Sequence, residues 1–203
     1  MQIEIADRVD SARTRILDSA ERIFVSKGFS GSSLRAITSD ASVNLAAVHY
    51  YFESKQGLFS AVFQRRIEPI NEQRLMNLER LLVETDQPGL RQILAAFLRP
   101  VLLHSNQGTI EFMAQMTAEP EELIQPLIAQ EFGHLIIRFN EALKLVFPET
   151  SEADLNIQFS FVVGAMLQTI FNRSFFMHIG DVNKVEMYEK LLDFCVAGFS
   201  NNE

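Results

Sequence analysis

Apolar residues recur along most of this chain at helical spacing, three to four positions apart. Ile16, Ala20 and Phe24 fall at i, i+4 and i+8, with Leu17 and Ile23 widening the stripe. The pattern predicts a first helix capped by Ser11 and closed by Lys27-Gly28, a cation followed by a residue that tolerates positive φ. After Phe29-Ser30-Gly31, Ser32 or Ser33 is placed to cap a second helix with Leu34, Ile37 and Ala41 on one face. Ser42-Val43-Asn44 breaks that periodicity, and Asn44 is placed to cap a third helix reaching Tyr51. Two short helices joined by a turn of three to four residues have the dimensions of a helix-turn-helix, whose second helix enters the major groove.

Ser54 is placed to cap a long fourth helix, over about 55–84, with Pro69 inside it. Asp86-Gln87-Pro88-Gly89 is the strongest turn signal, and Pro88 suits a first helical position. Further helices are expected at about 88–104, 108–117 and 120–146. Ser151-x-x-Asp154 opens another, to about His178, and Asp181 is placed to cap the last, to about Phe199. No strand-like alternation of useful length and no internal repeat interrupts this series. The fold class expected is all-α: a three-helix helix-turn-helix head over residues 1–54, and a second, helical-bundle domain over 55–203.

Charge sharpens the division. Net charge is −8, too acidic for a chain that coats nucleic acid over its whole surface. Residues 1–66, however, hold nine Lys and Arg against seven Asp and Glu, while residues 67–203 hold nine against nineteen. Only the head is suited to approach phosphates. The single cysteine, Cys195, permits no intrachain disulfide and suits a reducing cytoplasm. The longest apolar run, Phe161–Leu167, is far short of the about 20 residues that span a bilayer, and no signal peptide is visible, so no membrane association is expected.

Enzyme chemistry finds little support. There is no Gly-x-Gly-x-x-Gly, P-loop, Gly-x-Ser-x-Gly or His-Glu-x-x-His, so no catalytic residue and no cofactor is assigned. His49, His104, His134 and His178 have no metal-ligand spacing. His104 and His134 with Glu111 make the one conceivable metal set, which a polar role in a bundle explains more simply. The alternative reading is a helical ligand- or metal-binding protein, or an enzyme, without a DNA role; it leaves the head unexplained.

The head is the informative part. It reads Arg13-x-Arg15-Ile16-Leu17-x-x-Ala20, then Phe24-x-x-x-Gly28-Phe29, Ser33-Leu34-Arg35-x-Ile37 and Ala41-Ser42-Val43-Asn44, and ends Val48-His49-Tyr50-Tyr51-Phe52-x-Ser54-Lys55-x-x-Leu58. Over roughly 50 residues this resembles the DNA-binding head of TetR-family transcriptional regulators. The resemblance implies a homodimeric repressor of double-stranded operator DNA, released by a small-molecule effector. Chemistry points the same way for individual residues. Ser33 either caps the second helix or donates to phosphate, and Arg35 reaches a phosphate or a guanine edge. Lys55 adds a point charge near the same strand. Asn44, Leu45, Ala46 and Ala47 form a small helix tip that approaches bases, and His49 and Tyr50 supply phosphate donors. Val43, Val48 and Phe52 are assigned to the head's own core.

Two departures from the family pattern stand out. Ser42 replaces the usual turn glycine, which strains the backbone if φ is positive there, and His49 replaces a tyrosine. The segments Ser33–Thr38 and Val43–Val48 are similar to a proteobacterial subgroup that includes regulators of fatty-acid metabolism, which implies an acyl effector, with a flat aromatic second. Candidate pocket walls are Phe97, Val101, Phe112, Met113, Met116, Ile136, Phe139, Phe159, Val163, Met166 and Ile170, although ordinary core accounts for most of them. Gln115, His134 and Arg138 are placed to orient a polar end, Arg138 by pairing with a carboxylate. Phe161–Leu167, with Phe175, Phe176, Leu191, Phe194 and Phe199, is the expected dimer surface.

Overall fold

The computed structural model describes residues 2–172 and 183–200. These are helical almost throughout. Helices α1 (Gln2–Lys27), α2 (Leu34–Asp40) and α3 (Leu45–Phe52) are followed by the long α4 (Lys55–Glu84). Then come α5 (Leu90–Arg99), a π-helical turn (Pro100–His104), α6 (Gln107–Met116), α7 (Glu121–Val146), α8 (Glu152–Phe171) and α9 (Lys184–Ser200). The expected all-α class is observed.

Several ends form where the sequence places them. Ser33 and Asn44 cap α2 and α3, accepting from Ala36 N–H at 3.2 Å and Ala47 N–H at 2.9 Å. Ser151 caps α8 by accepting from Asp154 N–H at 3.1 Å. Others differ. Helix α1 begins nine residues before Ser11, because Gln2–Asp10 has good helix formers and no breaker, so Ser11 is an interior residue. Pro88 stays outside α5; Gly89 takes the cap position and Gln92 Oε1 accepts from its N–H at 2.9 Å. The proposed cap Asp181, and with it His178, Phe175 and Phe176, lies outside the described residues. Asn183 Oδ1 instead accepts from Val185 N–H and Glu186 N–H, both at 3.0 Å, at the start of α9.

Two compact units form. The first runs through Ile67 and includes Glu111–Ala129; the second holds Glu68–Ile110 and the chain from Gln130 on. Ile16, Leu17, Ala20, Phe24, Ile37, Val48, Phe52, Leu58 and Phe59 are buried in the first. Phe24 and Phe59 meet edge-to-face at 5.0 Å between ring centres, and Phe112 of α6 lies 6.3 Å from both Phe59 and Phe63. In the second unit Phe97, Phe139 and Phe159 form a buried aromatic cluster, with Phe97 at 5.3 Å from Phe139 and 4.8 Å from Phe159.

Candidate DNA interface and effector core

Helices α2 and α3 are the two short helices that the sequence predicts. Ala41–Asn44 separates them, with Val43 N–H donating to Thr38 C=O at 3.0 Å. Ser42 stands in the left-handed region at φ 52°, the conformation the sequence comparison with a turn glycine anticipates. A buried bond from Ser19 Oγ to Ile37 C=O, 3.0 Å, holds α2 on α1, and Arg22 pairs with Asp40 at 2.5 Å on the surface. Val48 and Phe52 face inward. The opposite side of α3 is left open: Leu45, Ala46, His49 and Tyr50 are exposed, Tyr50 at 78%. Tyr50 packs edge-to-face on Tyr51 at 4.9 Å, and His49 Nδ1 lies 2.9 Å from Glu53 C=O. Arg35 is exposed in the first turn of α2, and its side chain has no hydrogen-bond or ion-pair partner among the described residues.

Lys55 sits differently from a free surface charge. It is half-buried, its Nζ donates to Ser32 C=O at 2.7 Å and lies 4.3 Å from the centre of the Phe29 ring. Burial holds its ammonium below the usual lysine range, with the Glu119 charge opposing the shift. Glu119 itself accepts from Phe29 N–H at 2.7 Å and from Gln115 Nε2 at 3.3 Å. Gly28, at φ 71°, lies against that carboxylate: a Cβ there would stand 2.6 Å from Glu119 Oε1. Sequence reasoning missed Glu119, whose partner is 90 residues away and leaves no local signal.

The effector candidates separate between the units. Phe112, Met113 and Met116 belong to the first, with Phe112 and Met116 buried. Phe97, Val101, Phe159, Val163 and Met166 belong to the second, together with Ile136, Phe139 and Ile170. His134 is exposed. Arg138 already has two carboxylates: its Nε and Nη2 donate to Glu79 Oε1, at 3.1 and 2.5 Å, and its Nη1 to Glu141. Among the described residues Arg74, which the sequence did not single out, is a buried cation. It is fully enclosed and stacks 4.0 Å above the Phe97 ring. Its donors reach Phe97 C=O at 2.8 Å, Asn71 Oδ1 at 3.1 Å and Met166 Sδ at 3.2 Å, and no carboxylate. Burial pushes it down to about 9, so it remains a cation at neutral pH. Among the described residues no group of three His, Cys, Asp or Glu is arranged to hold a metal, and no helix is long and apolar enough to cross a membrane.

Known proteins share this organisation. Residues 16–62 match the family described as bacterial regulatory proteins, tetR family, and residues 95–198 match the tetracyclin repressor-like C-terminal domain. The probable HTH-type transcriptional regulator YttP of Bacillus subtilis is 48% identical over 48 residues, 24% of this chain and 23% of that protein. The HTH-type transcriptional repressor NicS of Pseudomonas putida is 27% identical over 143 residues, 70% of this chain and 63% of that protein. The matches thus span less than two thirds of either relative. Among solved structures, NalD of Pseudomonas aeruginosa, the secondary repressor of a multidrug efflux pump, superposes with a TM-score of 0.70 at 20% identity, covering 94% of this chain and 97% of that one.

Proposed function

Because the chain belongs to the TetR family of bacterial regulatory proteins, we propose that it is a sequence-specific DNA-binding transcriptional regulator, a repressor released from its operator by a small, mostly apolar effector. The observation that carries the reading is the open face of α3. Two capped helices hold a small tip, Leu45–Ala47, next to exposed His49 and Tyr50, with unpaired Arg35 beside it. Small side chains let the helix reach base edges, and the flanking donors fix its register on phosphates. Ser33 and Asn44 spend their side-chain oxygens on helix caps, so their contribution to DNA is chiefly to orient the two helices. Lys55 keeps two N–H donors beyond Ser32 and stands ready to meet phosphate while bracing the loop before α2.

The bundle is the sensor and the dimer. Phe97, Phe159 and Met166 around Arg74 give an apolar core with one cation, suited to an acyl molecule first and a flat aromatic second. Dimerisation is supported by the exposed apolar residues Phe161 on α8 and Phe194 on α9. The protein acts in the cytoplasm, where its operator is.

The test is operator binding by the full chain, with the operator selected from random DNA. Arg35→Ala should weaken binding by about 1–3 kcal/mol and leave folding intact, as befits an unpaired surface residue. Lys55→Ala should weaken binding by a similar amount and also lower the melting temperature. Affinity should fall steeply with salt. Unchanged operator affinity in both variants overturns the assigned surface.

A further inference from the structure

The second unit holds a cleft of about 450 Å³ between α4, α5 and the end of the π-helical turn. Gln73, Asn77, Arg80 and Leu81 form one wall, Gln92, Ala95, Ala96 and Arg99 the other, and His104 closes one end. No Asp or Glu lines it. This is unexpected in a segment of chain where acids outnumber bases about two to one.

Its hydrogen-bonding capacity is one-sided. The Asn77 carbonyl oxygen accepts from both Gln73 Nε2 and Arg80 Nη2, each at 3.0 Å, which fills its two lone pairs. The Gln92 carbonyl oxygen is taken by Gly89 N–H. What these side chains have left to offer is the amide NH2 groups of Asn77 and Gln92, the four remaining guanidinium N–H donors of Arg80 and the whole guanidinium of Arg99, which has no ion-pair partner among the described residues. Gln73 Oε1 and a ring nitrogen of His104 are the only side-chain acceptors left among the lining residues. His104 reaches the cleft through a local device. Pro100 has no N–H to give to Ala96 C=O, and the helix widens into the π-turn that ends at His104.

We propose that this cleft binds a compact anion carrying at least two negative charges, a small di- or tricarboxylate or a phosphate compound. Two guanidinium groups on facing helices divide the charge between them, and the amide donors of Asn77 and Gln92 meet the remaining oxygens. The volume suits a small metabolite and is within the range of about 300–1,000 Å³ of ordinary ligand sites. This site is separate from the apolar core around Phe97 and goes beyond the effector reading above: it gives the sensor unit a second, polar input.

The experiment is calorimetric titration of the full-length protein at fixed ionic strength with citrate, with inorganic pyrophosphate, and with acetate as a singly charged control. Saturable binding of citrate or pyrophosphate at one per chain, none of acetate, and at least tenfold weaker binding in Arg99→Gln and in Arg80→Gln is the expected result. Citrate alone assigns the carboxylate class, pyrophosphate alone the phosphate class, and both together a site that reads charge. Both arginines are exposed and make no ion pair among the described residues, so the two variants should melt with the parent. Arg35→Ala, in the DNA-binding head, should bind either probe as the parent does. The proposal is overturned if neither probe binds, if Arg99→Gln and Arg80→Gln both keep parental affinity, or if binding is lost with Arg35→Ala alone.

Discussion

At the scale of single residues, the turn between α2 and α3 shows a conflict between sequence and backbone. Ser42 holds φ 52°, where its Cβ crowds the neighbouring carbonyl, at a cost of about 1–2 kcal/mol relative to glycine. Glycine would relieve that strain but add freedom to the unfolded chain, which returns about 0.4–1 kcal/mol. Ser42→Gly should therefore stabilise the protein by about 0.5–1 kcal/mol, measured by denaturant unfolding, while operator affinity stays unchanged because Ser42 is not assigned a contact. A loss of stability would show that the serine side chain contributes something the strain argument omits. The caps at Ser33 and Asn44 were readable from sequence because a cap is a local event, settled within three residues. Arg74, Glu119 and Arg138 were not, because their partners are tertiary. Charge type alone places an arginine outside, whereas Arg74 is enclosed by Phe97, Asn71 and Met166, and Arg138 is claimed by Glu79 and Glu141.

At the scale of elements, α8 and α9 leave an apolar stripe uncovered. Ile157, Phe161 and Gly164 repeat at i, i+4 and i+7 on α8, with Phe161 69% exposed. On α9, Phe194 is 68% exposed and Gly198 stands one turn on. A Cβ added at Gly164 or Gly198 would meet nothing within 4 Å, which leaves room for a partner's backbone to come close. Leu191 and Phe199, expected on this surface from sequence, are buried within the chain instead, because α9 turns them toward its own unit. Periodicity could show that both helices are too apolar for one face, but not which positions the chain covers by itself. A second copy applying the same stripe would bury it in a two-fold, four-helix contact. Phe161→Asp should leave the protomer folded, since the side chain is largely exposed, and should convert the protein to monomer at micromolar concentration in light scattering. Operator affinity should fall with it, because the two half-sites of a near-palindrome, about 34–36 Å apart, are then bound independently. A Phe161→Asp variant that remains dimeric would place the contact elsewhere.

At the scale of the whole molecule, the question is how occupancy of the bundle reaches the DNA-binding face. Helix α4 runs without a break from Lys55, which braces the loop before α2, to Glu84, and carries Arg74 on the way. Pro69, inside that helix, removes one rung of its hydrogen-bond ladder and gives it a place to bend. Arg74 is tied to α5 through Phe97 C=O and to α8 through Met166, so a molecule inserted among Phe97, Phe159 and Met166 must move or replace contacts that α4 itself makes. Glu119, in the same compact unit as α2 and α3, holds Phe29 N–H just before α2. An effector that binds better when α4 is displaced lowers operator affinity, and linkage requires the operator to weaken effector binding by the same factor. A coupling of about 1–3 kcal/mol, or about 5–150-fold, is expected. Titrating medium- and long-chain fatty acids, their acyl esters and flat aromatic compounds into a preformed protein–operator complex measures one side of the cycle. Calorimetry with and without operator measures the other, and the two factors should agree. Arg74→Met should keep an apolar effector bound but shrink the coupling, because methionine packs on Phe97 without gripping its carbonyl. Compounds that calorimetry shows to occupy the bundle while operator affinity stays constant would rule out this switch and leave the DNA-binding assignment standing.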